Sequence, residues 1–373
     1  MYQSAASMFK NKKVLILGFG REGMSTYRFL RNMYPDMHLT IADKNEIKLD
    51  DKNVTLICGD SYMDSLNDFD IVMKSPGIAF LDVDIKDGTL VTCQTDLFLK
   101  FAPCRKVGIT GSKGKTTTST LIYDMLKEGG FDARLIGNIG VPVLEDINTV
   151  TPETIAVIEM SSHQLEFTTS SPEVAVLTNI YEEHLDHYRD GFRGYVNAKL
   201  NIVRRQKEGD TFIYNATQGL DGLCDLGKIK SHKVGVKKDA PLPFAVNNEH
   251  LLGEHNRQDI LFALEAAKHF GVDTAAAERA VEKFSGIEHR MEKVGTFRGI
   301  TFYNDCIATI PHAVECAVEA LKNVDTLIFG GMDRGLDYSE FENYLKKSNI
   351  KNLIGTPETG HKICDKIEGA PQK

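Results

Sequence analysis

The sequence predicts an α/β protein of three domains, and three observations carry that expectation. Two glycine-rich turns each follow an apolar strand and open a helix; strands alternate with helices along most of the chain; and 373 residues exceed what one compact core usually holds. The expected domains are residues 1–100, 101–286 and 287–373.

The first domain opens with a buried strand, VLILG, that runs into Gly18-Phe-Gly20-Arg-Glu-Gly23 and then an amphipathic helix to about Met33. Asp43 closes the next strand, LTIAD. A G-x-G-x-x-G turn followed by an acid about 20 residues on is the dinucleotide fingerprint: the glycines let a diphosphate sit at the helix N-terminus, and the acid contacts a sugar or base. The competing reading is a turn that only packs helix on strand. Further strands at Val54–Cys58, Ile71–Lys74 and Leu90–Cys93 complete a domain too small for a two-halved NAD fold. Ser75-Pro76-Gly77-Ile78 adds a second glycine-bearing loop after a strand.

The second turn, in KVGITGSKGKTTTSTL from Lys106 to Leu121, organises the rest. It is a phosphate-binding loop in a shortened form, since Ile109 stands where the usual pattern has its first glycine. Its physics is unchanged. Gly111, Ser112, Lys113 and Gly114 turn backbone N–H groups inward, Lys115 reaches β- and γ-phosphates, and the Thr116 hydroxyl ligates Mg²⁺, with Thr117 continuing the helix start. Strands then follow at Arg134–Ile136, Ile155–Glu159, Val174–Asn179 and Thr211–Tyr214, which predicts a parallel or mixed sheet with helices on its faces. Loops after these strands, Gly137–Gly140, Glu159–Gln164 and Asn179–His184, can converge on the phosphate loop. Glu159 and His184 are the candidate metal ligands, because oxygen and imidazole suit Mg²⁺ or Mn²⁺ beside a triphosphate.

Beyond Glu254-His-Asn256 come two helices and a break at Ser285-Gly286-Ile287. A third α/β domain follows, with strands at Ile300–Tyr303, Thr326–Phe329 and Asn352–Ile354 and a polar tail from Glu368 to Lys373.

Composition narrows the function. A net charge of −8 argues against a nucleic-acid surface. Seven scattered cysteines with no C-x-x-C pair point to reduced thiols, hence a cytoplasmic setting. No stretch approaches the roughly 20 apolar residues that span a bilayer, so membrane insertion is not expected, and a monomer acting on small molecules is.

The residues quoted resemble the Mur ligases, ATP-dependent amide-forming enzymes of peptidoglycan synthesis. The likeness runs from Lys13 to about Tyr338 and rests on GITGSKGKTTT, GNIG, IEMSSHQLE, EEHLDHY, NAKLNI and the NDCIAT segment after HRME. It implies a Rossmann-like UDP-binding domain, a central P-loop ATPase domain and a C-terminal Rossmann-like domain. The implied reaction adds D-glutamate to UDP-N-acetylmuramoyl-L-alanine through an acyl phosphate. By the same likeness Gly18, Gly20, Asp43 and Ser75 hold UDP. Lys115 and Thr116 bind ATP with magnesium at two sites, which Glu159 and His184 complete. Asn138, Ser161, Thr309 and Arg334 face substrate, and Asn256, Arg290 and Asp305 surround adenine and ribose. Lys199 matches a lysine the family carries as a carbamate, and with Lys115 and His184 it forms the implied catalytic set.

The chain departs from the family at three places. Ile307 stands where a lysine is common, Asp259 where an asparagine often follows the histidine–asparagine pair, and no counterpart of the family's glutamate-holding serine and phenylalanine precedes Lys373. The resemblance therefore implies an incomplete C-terminal domain. Ile307 and the run Asp333–Tyr338 also match L-glutamate-adding relatives, the nearest alternative. A folylpolyglutamate synthase-like ligase would begin at its phosphate loop and leave residues 1–100 unexplained. A non-catalytic nucleotide switch lacks any guanine-reading N-K-x-D.

Overall fold

The computed structural model of the protein describes residues 2–333 and 335–367. Arg334 and the tail from Glu368 to Lys373 lie outside the described residues. The chain divides into two compact units, residues 1–245 with 258–283, and residues 246–257 with 284–373.

The first unit contains two parallel sheets. Helix α1 (Tyr2–Phe9) precedes β1 (Val14–Leu17), α2 (Arg21–Met33), β2 (Leu39–Asp43), β3 (Val54–Cys58), β4 (Ile71–Lys74) and β5 (Leu90–Thr92), and the strand order is β3-β2-β1-β4-β5. Strands β1 and β4 are buried at every position, as expected of central strands covered on both faces. The chain passes from β1 to β2 on one side and returns to β4 on the other. That reversal opens a crevice at the carboxyl ends of β1 and β4, where Gly18 and Ser75 sit.

Helix α3 (Gln94–Phe101) leads into the second sheet, formed by β6 (Arg105–Thr110), α4 (Lys115–Glu128), β7 (Ala133–Gly137), β8 (Ile155–Glu159), α5 (Ser162–Leu165), β9 (Val174–Leu177), α6 (Gly191–Arg204), β10 (Thr211–Asn215) and β11 (His232–Val236). Its order is β11-β10-β9-β6-β8-β7, parallel throughout. The switch point falls at β6, so the phosphate loop leaves the sheet where the crevice opens. One core runs through both sheets, from Val14, Ile16 and Leu39 through Phe98 to Ile158, Leu177 and Phe212. A buried ion pair also joins them: Lys74 Nζ at the end of β4 lies 3.1 Å from Glu166 Oε2, with its ammonium over the Phe80 and Phe167 rings.

Helix α7 (Gly253–His269) begins in the second unit and ends in the first, which α8 (Thr274–Lys283) completes. The second unit then holds β12 (Glu292–Phe297), β13 (Ile300–Asn304), α9 (Pro311–Leu321), β14 (Thr326–Gly331), α10 (Ser339–Lys347), β15 (Asn352–Glu358) and α11 (Thr359–Lys366). Phe329, Phe341, Leu345, Ile350, Leu353 and Ile363 form its core.

The central sheet is parallel, one of the two forms expected, with no antiparallel member among its described strands. Several other elements differ from the sequence expectation. Strand β11 was not expected because its Lys and His side chains face solvent at a sheet edge and mask the alternation. Helices α1, α3 and α11 are short, below the length at which a 3.6-residue period stands out. In the second unit β13 pairs antiparallel with β12, a strand not read from the sequence, while β14 pairs with β15; no common sheet joins them among the described residues. Among the described residues no helix is long and apolar enough to cross a membrane.

An ion-pair cluster fastens the amino ends of β6 and β9. Glu173 accepts from the Arg105 guanidinium and lies 2.9 Å from His269 Nε2, and the guanidinium packs over Phe270 at 4.5 Å. Burial works to raise the Glu173 carboxyl, and the His269 and Arg105 hydrogen bonds override it, holding it at about 2 against an ordinary 4.5. The folded value is the lower one, so this contribution is complete above the ordinary value and is lost as pH falls from 4.5 toward 2. Glu173→Gln is expected to cost on the order of 1 kcal/mol at neutral pH, or about 2 °C in Tm. Thermal melts across acid pH check it: the gap between wild type and variant narrows below about pH 5 and closes only near about pH 2.

Candidate functional site

The phosphate loop takes its shape from its neighbours. After Thr110 the backbone turns at Gly111, with φ at +152°, and a side chain there would collide with the Thr178 hydroxyl and the Asn179 backbone. Gly114, with φ at +81°, lies against the Asp259 carboxylate. Glycine is required at both places on backbone and steric grounds together. Strand β9's loop grips the turn from one side. Ser112 N–H donates to the Asn179 carbonyl, Lys113 N–H to Asn179 Oδ1, and Thr178 Oγ1 to the Lys113 carbonyl at 2.6 Å. Asp259, read from the sequence as a change near adenine, is buried behind the loop and accepts from Thr118 Oγ1.

Three lysine side chains gather on this loop. Lys115 Nζ donates to the Gly111 and Ser112 carbonyls at 2.8 and 2.9 Å, and Lys199 Nζ donates to the same Gly111 carbonyl at 2.7 Å. Lys113 pairs with Glu183 at 2.9 Å. Lys199, on α6, is 2% exposed, and its ammonium lies 4.7 Å above the Tyr195 ring. Burial, reinforced by the Lys115 charge, pushes its pKa well below the ordinary lysine value. Burial also works to raise the Glu183 carboxyl, but the Lys113 ammonium overrides it and holds the group at about 2. The result is a pocket of concentrated positive potential at the start of α4, suited to an anion of several charges.

Beside it, in register with Ile109 of β6, stands Glu159 at the end of β8. Its Oε1 accepts from Asn138 Nδ2 at 2.6 Å, while its Oε2 is buried without a hydrogen-bond partner. Among the described residues no three His, Cys, Asp or Glu side chains converge to hold an ion by themselves. An orphaned buried carboxylate oxygen next to a phosphate loop fits a divalent cation that draws its remaining oxygens from phosphate, the Thr116 hydroxyl and water. His184 has left-handed backbone, with φ at +56°, and its ring packs edge-on to His163 with centroids 4.8 Å apart. Ser161 caps α5, its side chain accepting from Gln164 N–H.

At the first sheet, Gly18 has φ at +87° and a side chain there would strike Ser75, whose Oγ donates to the Gly18 carbonyl at 3.0 Å. Gly20 faces open space. The Asp43 carboxylate braces this turn, accepting from Phe19 N–H at 2.6 Å and from Asn45. In the second unit Asn256 is buried and donates to the Leu252 carbonyl, Asp305 accepts from Met291 N–H, Arg290 Nε is buried without a partner, and Thr309 is half-buried near the start of α9. Arg334 lies outside the described residues. The sequence reading named the Asn179–His184 loop without giving Asn179 or Glu183 a role, and missed Tyr195, whose hydroxyl meets Ser112 Oγ at 2.6 Å. The acidic pair ahead of His184 and the tyrosine four residues before Lys199 were the signals available.

Comparison with known proteins agrees with this geometry. Residues 12–91 match the Mur ligase MurD-like N-terminal domain, and residues 109–247 match the Mur ligase middle domain. The UDP-N-acetylmuramoylalanine–D-glutamate ligase of Clostridium kluyveri is 33% identical, covering 98% of this chain and 84% of the relative. The enzyme of the same name from Ligilactobacillus salivarius is 34% identical over 94% of this chain and 82% of its own. Among solved structures, MurF from Acinetobacter baumannii has a TM-score of 0.61 at 16% identity, covering 96% of this chain and 83% of its own. MurF from Thermotoga maritima, in complex with ADP, has 0.60 at 17%, covering 94% and 82%. With both family domains matched in order and a third of the residues shared across nearly its whole length, the chain belongs to the Mur ligase family, in its UDP-N-acetylmuramoylalanine–D-glutamate ligase branch.

Proposed function

We propose that the protein joins D-glutamate to UDP-N-acetylmuramoyl-L-alanine, using ATP and Mg²⁺, as a cytoplasmic monomer. The observation that carries this reading is the pair of glycine turns in the first unit, each at the switch point of its own parallel sheet. One has open space at Gly20 for a nucleotide diphosphate; the other has the Lys113 and Lys115 ammonium groups for a triphosphate.

The chemistry follows from the residues. The L-alanine carboxylate attacks the γ-phosphorus of ATP, the bond to the β-phosphate oxygen breaks, and ADP leaves; the glutamate amine then displaces phosphate from the acyl phosphate and loses a proton. Lys115 swings from the Gly111 and Ser112 carbonyls to the transferring phosphoryl group and spreads its charge. Backbone N–H groups of residues 114–117, at the start of α4, hold the other phosphates, since those of Ser112 and Lys113 already donate to Asn179. Magnesium, when bound at two sites, supplies charge neutralisation at the phosphates; Glu159 Oε2, Thr116, His184 and modified Lys199 are the groups that would hold it. Asn138 orients Glu159 by its 2.6 Å hydrogen bond. Asn138 and Ser161 are assigned to the muramoyl substrate, Gly18, Gly20, Asp43 and Ser75 to UDP, Asn256, Arg290 and Asp305 to adenine and ribose, and Thr309 and Arg334 to substrate.

Lys199 is assigned as a carbamate. Only a neutral amine attacks CO₂, and burial beside Lys115 favours the neutral form. Attack forms an N–C bond and releases a proton, turning a buried neutral amine into a carboxylate-like anion beside two ammonium groups.

A specific residue favours a second reading, L-glutamate: Ile307, exposed before α9, cannot make the charged contact of a lysine.

ATP-dependent phosphate release is expected only with UDP-N-acetylmuramoyl-L-alanine and glutamate together, faster with the D-isomer. Release that ignores the UDP compound would refute the ligase reading, and preference for L-glutamate would move the chain to the second one. Lys115→Ala is expected to reduce acyl-phosphate formation at least about 100-fold while calorimetry finds UDP-substrate affinity within a few-fold of wild type. Lys199→Ala is expected to lose activity that short carboxylates partly restore, and ¹³C-bicarbonate should yield a carbamate resonance in wild type alone. An active, unrescued alanine variant with no such resonance would exclude the modification.

A further inference from the structure

The first two residues of α2 do not serve the first sheet alone. The Arg21 guanidinium donates to the carbonyl of Gly140, in the loop after β7. The Glu22 carboxylate accepts from Gln164 Nε2 at 2.7 Å, in the segment after β8. An adjacent pair of opposite charges thus reaches two strand-end loops of the other sheet, each more than 100 residues away in sequence.

Those loops are themselves joined. Asn138 Nδ2 donates to Glu159 Oε1 at 2.6 Å, and Asn138 N–H to the Glu159 carbonyl at 2.9 Å. Gln164 is buried and has no freedom left: its Oε1 accepts from Ser161 N–H at 3.0 Å, and its own N–H donates to Ser161 Oγ at 3.2 Å. The other end of the connection is equally fixed. Gly23 packs against the Gly18 carbonyl, which Ser75 Oγ also holds, and the Glu22 carbonyl accepts from Gln94 and Thr26. A closed circuit runs from the Gly18 turn through Arg21 and Glu22 to the loops at Gly140 and Gln164, and through Asn138 to Glu159.

The geometry points to Arg21, Glu22 and Gln164 as positioning residues that couple the nucleotide-diphosphate turn of the first sheet to the Glu159 carboxylate of the second. The inference rests on the functional reading above, in which a UDP compound occupies the turn and Glu159 serves metal–ATP. A ligand settling on Gly18–Gly20 fixes the start of α2; Arg21 and Glu22 then fix both loops that orient Glu159. By linkage, each ligand raises the other's affinity by the same factor. Such a circuit differs from a generic domain contact because the connection ends on a carboxylate with one oxygen unpartnered.

Calorimetry on the full chain tests it, using a non-hydrolysable ATP analogue with Mg²⁺ and UDP-N-acetylmuramoyl-L-alanine, each titrated with and without the other. Wild type is expected to show reciprocal coupling of roughly 5-fold or more. Glu22→Ala and Arg21→Ala are expected to bring the factor close to one while each ligand alone binds within about 3-fold of wild type. Glu22→Gln keeps an acceptor for Gln164 and is expected to retain the coupling. Arg21 is exposed, so its alanine variant leaves the core intact and guards against misfolding of the Glu22 variant. Full coupling in both alanine variants, or none in wild type, overturns the circuit while leaving the function in place. Failure of the UDP compound to bind wild type at all overturns the functional reading, and the circuit with it.

Discussion

The carbonyl oxygen of Gly111 accepts from both Lys115 and Lys199, and the site is built around that shared acceptor. Two like charges on one oxygen, with one of the amines fully buried, are unfavourable unless something compensates. Here the compensation comes in layers. Glu183 draws Lys113 aside, burial favours neutral Lys199, and the Lys115 ammonium is held by the Gly111 and Ser112 carbonyls. The arrangement concentrates positive potential suited to a polyphosphate. Gly111 itself is fixed because Thr178 and Asn179 leave no room for a side chain.

Both sheets of the first unit apply one topological rule to different ligands. Each places its glycine turn after the strand at which the order reverses, so the crevice lies where two loops diverge. The first turn is lined by a serine and an aspartate that brace it, and it carries little charge. The second is lined by lysines. On the function proposed, their separation would let nucleotide sugar and ATP bind without competing, and the shared core with the buried Lys74–Glu166 pair joins the two sheets. Holding reactants in register in this way is worth on the order of 7–11 kcal/mol of the barrier in favourable cases.

The phosphate loop could be read from spacing because glycine, lysine and threonine at a strand-to-helix junction have few other uses. The dinucleotide-type turn was readable for the same reason, and so were the strands whose apolar runs are buried on both faces. Edge strand β11 and helix α3 were hidden, the first by solvent-facing charges and the second by its shortness. The pairing of β13 with β12, and not with β14, could not be anticipated, since a short apolar strand carries no record of its partner.

The sequence alone determined the family, and it offered the residue types that could hold phosphate or ligate a cation. These are properties of side-chain types at short spacing along the chain, where local backbone geometry decides. Only the tertiary structure decided that Asp259 backs Gly114, that Glu183 takes Lys113, and that Arg21 and Glu22 reach Gly140 and Gln164. Each of those contacts spans between 70 and 145 residues of sequence. Contacts at that range depend on how whole sheets pack, and the free energy that selects the packing is spread over the entire core.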